Sequence, residues 1–124
     1  MSKYFGGFAK REDVAAEFQQ GVGDKWDDKP FIPVEGFPTD DEILFAAYET
    51  PSYEGYALVL YERDGVLYQV NGSHCSCYGL EHQWKPEETS WAAIKKAGEE
   101  MLPDYQDYTP EARDAFAELL RTRA

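Results

Sequence analysis

The dipeptide Asp64-Gly65 constrains this chain more than any other feature. It lies between two apolar runs, Tyr56 to Glu62 and Val66 to Val70. The tight two-residue turn of a hairpin needs positive φ at both central residues, and Asp-Gly supplies it with little strain. Such a turn sets Arg63 opposite Val66, Tyr61 opposite Tyr68 and Val59 opposite Val70. Val59, Tyr61, Val66, Tyr68 and Val70 then share one face, and Leu58, Leu60 and Leu67 the other. Both faces are apolar, so other elements must cover both. Ile43 to Tyr48 is likewise apolar on two faces, the pattern of an inner strand.

Helical spacing governs three other stretches. Lys10 to Gln20 predicts a short helix with Val14, Ala15 and Phe18 on one face, ended by Gly21 and Gly23. The preceding Tyr4-Phe5-Gly6-Gly7-Phe8 reads as an ordered entry segment, since its three aromatics favour burial. Thr89 reads as the N-cap of a helix from Ser90 to Leu102, with Trp91, Ile94 and Met101 inward and Pro103 as the stop. Glu87 and Glu88 just before it suit a helix start without any catalytic role. Thr109-Pro110-Glu111 is an N-cap, a first-turn proline and an acidic first turn in sequence. Ala112, Ala115, Phe116, Leu119 and Leu120 follow as an apolar stripe, with Arg121 and Arg123 at the C-terminal end.

Residues 21–42 are rich in Gly, Pro and Asp, which forbids a continuous helix or a central strand. Trp26, Phe31, Ile32, Val34 and Phe37 within them favour burial. The segment reads as a loop pinned over the core, with a binding loop as the alternative. Together these features predict an α+β fold: a small antiparallel sheet of about three strands packed with about three helices. The 124 residues suit a single domain, 1–124.

Charge narrows the function. The net charge is −12, with 24 acidic and 12 basic residues, and acids outnumber bases in every third of the chain. Duplex binding requires cationic patches that displace counterions, and no basic cluster exists here, so no direct nucleic-acid ligand is expected. A protein partner with a basic surface is the natural complement, beside simple solubility. No apolar run reaches the ~20 residues of a membrane helix, and no basic-then-apolar leader is visible. A reducing cytoplasm and no membrane association are the expectation.

The candidate chemistry sits in Asn71 to Trp84, N-G-S-H-C-S-C-Y-G-L-E-H-Q-W, which holds both cysteines and both histidines. His74, Cys75, Cys77 and His82 are ligand types for zinc, but the C-x-C spacing is poor for a structural site, and all four converge only in a loop. A cysteine nucleophile with His74 or His82 as base is a second possibility, and a reducible C-x-C disulfide a third. The fourth is packing alone: buried cysteines behave as small apolar groups, with Asn71-Gly72 and Tyr78-Gly79 as turns that lay Trp84 on the core. No phosphate loop, dinucleotide fingerprint, nucleophile elbow or zincin helix is present, and Asp24, Asp27 and Asp28 do not match a calcium loop. The residues lean away from an enzyme.

The run from Tyr53 to Trp91, which contains N-G-S-H-C-S-C-Y-G-L-E-H-Q-W, resembles small uncharacterised proteins encoded by bacteriophages and prophages. The opening K-Y-F-G-G-F-A, Lys3 to Ala9, resembles their N-termini. The likeness covers somewhat over a third of the chain and carries no activity or catalytic residue across. It implies a phage or prophage origin and expression in a bacterial cytoplasm. The leading expectation is therefore a non-catalytic, acidic accessory protein that binds a host protein, for instance to inhibit a nucleic-acid-handling or defence enzyme. The alternatives are a zinc- or thiol-dependent site at His74, Cys75, Cys77 and His82, and a virion or assembly component.

Overall fold

A computed structural model describes residues 3–23, 31–49, 55–74, 79–97 and 110–123. Among them the element order is β1 (Tyr4–Gly6), α1 (Arg11–Glu17), β2 (Gly21–Val22), β3 (Ile32–Pro33), β4 (Ile43–Glu49), β5 (Gly55–Arg63), β6 (Val66–His74), β7 (Glu87–Thr89), α2 (Trp91–Ala97) and α3 (Pro110–Arg123). The expectations for Trp26, Asp24, Asp27, Asp28, Cys75, Cys77, Tyr78, residues 98–102 with Met101, Pro103 and Thr109 lie outside the described residues.

The fold is α+β, but its main sheet is larger than the expected three strands and is mixed rather than antiparallel, because β1 joins β4 in parallel. Five strands join in the order β1-β4-β5-β6-β7, and β2 and β3 form a separate two-stranded ribbon. The hairpin has the register read from Asp64-Gly65: Arg63 faces Val66, Tyr61 faces Tyr68 and Val59 faces Val70. Asp64 takes φ 53° and Gly65 φ 79°, as the turn requires. The hairpin runs further than expected, pairing Leu58 with Asn71, Ala57 with Gly72 and Gly55 with His74. Asn71-Gly72 is thus strand rather than turn. Gly72 is there for closeness: a Cβ on it would lie 2.9 Å from Leu80 Cδ2 and 3.2 Å from the Phe18 ring.

Two strands of the main sheet, like β2 and β3 in the segment read as a loop, escaped the reading because they are short and paired at long range. β1 runs parallel to β4, with Tyr4 beside Ala46 and Gly6 beside Tyr48. Gly6 has φ 66°, and a Cβ there would stand 2.1 Å from the Tyr48 carbonyl oxygen. No other residue type fits this edge. β7 places Glu88 opposite Tyr68 and Glu87 opposite Gln69. The two glutamates therefore lie on a short charged edge strand, a device that discourages further strand pairing, rather than ahead of a helix. Thr89 belongs to that strand, and the cap of α2 falls to Ser90, whose Oγ accepts the Ala93 N–H at 3.1 Å. α1 likewise ends before its glycines: Phe18 closes it, Gln19 turns left-handed at φ 55°, and Gly21 enters β2.

Both sheet faces are covered. On one face α1 and the 31–37 segment bury Val14, Ala15, Phe18, Phe31 and Phe37 against Ile43, Val59, Tyr61 and Val70. On the other, α2 and α3 bury Ile94, Ala112, Ala115 and Phe116 against Phe45, Leu58, Leu60 and Leu67. Leu119 and Leu120 of the expected stripe are half-buried at its end. A bulge in β4 divides the side chains between the two cores. Ile43 pairs with Tyr61 but Phe45 pairs with Leu60, so Leu44 is an extra residue. Ile43 thereby points to the first core, while Leu44 and Phe45 both face the helices.

Glu42 pins the start of β4. Its carboxylate accepts the Thr39 N–H at 2.9 Å and a two-point bond from Arg63, Nε at 2.9 Å and NH2 at 2.8 Å. Arg63 first, and then the Thr39 N–H, hold this carboxyl down to about 2. A depressed acid contributes its stability above the unfolded value near 4.5 and loses it as pH falls toward 2. Glu42→Gln should therefore lower stability by about 1 kcal/mol at neutral pH. The gap between variant and parent should close across that acid window, which denaturant melts at stepped pH would follow.

Candidate functional site

The His/Cys segment is framed by described residues on both sides. His74 is the last residue of β6, and Gly79 begins the return. Leu80 then plugs into the first core at 1% exposure, seated over Gly72. His82 is exposed and left-handed, φ 67°, where the chain reverses beyond the Leu80 anchor. Cys75 and Cys77 lie outside the described residues, so of the four candidate ligands only His82 is placed as a side chain. Among the described residues no three of His, Cys, Asp and Glu come together as a metal-holding group.

Gln83 closes the frame. Its Oε1 accepts the Ser73 N–H at 2.8 Å, while its Nε2 donates to the Ser73 carbonyl at 2.6 Å and the Gly79 carbonyl at 2.7 Å. The carboxamide thus imitates a strand residue opposite Ser73, because it offers the same donor and acceptor as a peptide group. It satisfies the β6 edge beyond the end of β7 and ties both ends of the intervening five residues to one side chain. Glu81 supports the return by accepting the Gly79 N–H at 3.2 Å. Its own backbone N–H, and then that of Gly79, hold its carboxyl below the usual carboxylate range. Sequence reasoning missed Gln83. Nothing in His-Gln-Trp distinguishes a clamp from a surface glutamine, since its partners are four and ten residues away.

Beneath the frame lies an aromatic floor. Trp84 packs 4.8 Å from Phe37, 5.1 Å edge-on to Phe18 and 6.1 Å stacked on Tyr61, and Tyr61 stacks on Tyr68 at 5.2 Å. The expectation that this segment lays Trp84 on the core is met. Arg11 fixes the Phe37 side: its guanidinium lies 5.5 Å from that ring and Nε donates to the Pro38 carbonyl at 2.5 Å. Burial raises the Tyr61 hydroxyl above its ordinary value, so it stays protonated at neutral pH. These rings pack on the first core as one aromatic cluster.

A hollow of about 170 Å³ lies between β4 and α3 and is lined by Leu44, Phe45, Ala115 and Leu119 with Lys3, Glu118 and Thr122. Its polar groups are already occupied. Lys3 binds Asp40, Glu118 pairs with Arg121, and the Thr122 hydroxyl donates to the Glu118 carbonyl at 2.9 Å. No helix among the described residues is long and apolar enough to cross a membrane. Compared with family models, with curated proteins and with solved structures, the chain matches none.

Proposed function

We propose that this chain is a phage-encoded, non-catalytic accessory protein that works by binding a host protein with a basic surface in the bacterial cytoplasm. The observation that carries the reading is the charge. A net −12 on 124 residues is spread along the whole sequence. Among the described residues no charged side chain is buried, and Glu35, Asp41, Asp64, Glu87, Glu88, Glu111 and Asp114 are exposed. Such a field attracts a cationic partner and accelerates encounter. The phage origin rests on the resemblance carried by Tyr53 to Trp91. Immobilised full-length protein should retain a defined host protein from bacterial lysate at low salt and release it at high salt. A lysate that yields no retained protein at low salt contradicts the reading.

A second reading, a zinc- or thiol-dependent site at His74, Cys75, Cys77 and His82, is favoured by the Gln83 clamp, which ties Ser73 and Gly79 to one carboxamide. Elemental analysis separates the two. Stoichiometric zinc that disappears in Cys77→Ser supports the second reading, and metal-free protein with unreactive thiols removes it.

A further inference from the structure

The β2–β3 ribbon departs from the usual rule that strands turn apolar side chains inward. Val22 pairs with Ile32 and Gly21 with Pro33, and the ladder continues as the Val34 N–H donates to the Gln20 carbonyl at 2.9 Å. Directly opposed residues, and residues two apart on one strand, share a face. Val22, Ile32 and Val34 therefore form one stripe, while Phe31 on the reverse face is buried against the core. The stripe points outward: Val22 is 74% exposed, Ile32 65% and Val34 44%. These are all the large exposed hydrophobic residues among the described ones. The sequence led to the expectation that Ile32 and Val34 would be buried, and the pairing of β3 with β2 turns them out instead.

We infer that this stripe is the apolar anchor of an interface with a different protein, whose complementary face is a small apolar patch ringed by Lys and Arg. The inference rests on the reading of the chain as a host-protein binder and names its contact surface. Charge decides the occupant. Three aliphatic side chains expose at most a few hundred Å², whereas a stable interface covers roughly 800 Å² per partner, so the stripe is only the centre of a larger contact. The rest must come from polar and charged surroundings, and a second copy would bring its own −12 to the contact. Within residues 18–23 and 31–37 the single charge is that of Glu35, exposed beside Val34. Like charges across an interface oppose pairing, and a cationic rim favours it.

Photo-crosslinking from the full chain tests this directly. Ile32→p-benzoylphenylalanine, irradiated in low-salt bacterial lysate, should crosslink to one host protein at an apolar site flanked by Lys or Arg. The Val22→Ser/Ile32→Ser double variant should retain at least about 10-fold less of that protein. Ala117→Gln, at an exposed position on α3 across the sheet, should leave retention near that of the parent. Exposed substitutions of this kind leave folding nearly unchanged, and the crosslink itself requires no loss of stability. Crosslinks to another copy of this chain overturn the inference, as does unchanged retention by the double variant. In the latter case host binding stands and only the surface is wrong. A parent that retains nothing removes the binding reading as well.

Discussion

Phe18→Ala should cost about 3–5 kcal/mol, a large share of the 5–15 kcal/mol that holds a typical domain together. Phe18 closes α1 and is fully buried. Its ring stands 5.1 Å from Trp84 and 6.3 Å from Phe8, and it fills the space that Gly72 leaves open on β6. Truncation removes the contact joining helix, sheet and the Leu80–Trp84 return at once. Rigid neighbours close such a hole only partly, so the cavity adds to the lost transfer energy. Chemical denaturation should show the midpoint falling with little change in slope. A loss under about 1 kcal/mol would mean that the first core does not pack through this ring.

Gln83→Glu should be the second most damaging change, at about 2–3 kcal/mol, although it preserves shape. The amide nitrogen donates to two carbonyl oxygens, of Ser73 and Gly79. A carboxylate has no proton to donate at neutral pH and sets a negative oxygen against both. Gln83→Ala also gives up the acceptor of the Ser73 N–H, but it sets no negative oxygen against the two carbonyls, and it should cost less than Gln83→Glu. The order of the two variants in thermal melts is therefore diagnostic of the clamp. Equal stability of parent and Gln83→Glu would show that the carboxamide does not hold the loop ends.

The hairpin was legible because Asp64-Gly65 fixes register locally, and register then assigns Val59, Tyr61 and Val70 to one face and Leu58, Leu60 and Leu67 to the other. The α3 stripe was legible for the same reason, as its period is local. What stayed hidden depends on distant partners. Tyr4–Gly6 is a strand only because β4 lies beside it, and three residues carry no period. Glu87 and Glu88 carry helix-start chemistry that strand pairing overrides. Asn71-Gly72 has turn propensity, yet the hairpin continues through it because Leu80 and Phe18 need the missing side chain. Ile32 and Val34 look like core residues until β2 pairs with β3. Of the candidate site, the cluster of residue types was visible and its frame was not, since the Gln83 bonds cross up to ten residues.

The reading of this chain as an anionic binder stands or falls with the ionic-strength dependence of one affinity. The measurement is the dissociation constant between the full chain and the host protein it retains, taken at about 0.1 M and about 1 M salt, where the screening length falls from about 10 Å to about 3 Å. The account predicts a weakening of at least about 10-fold across that range. An affinity that does not change with salt would contradict it.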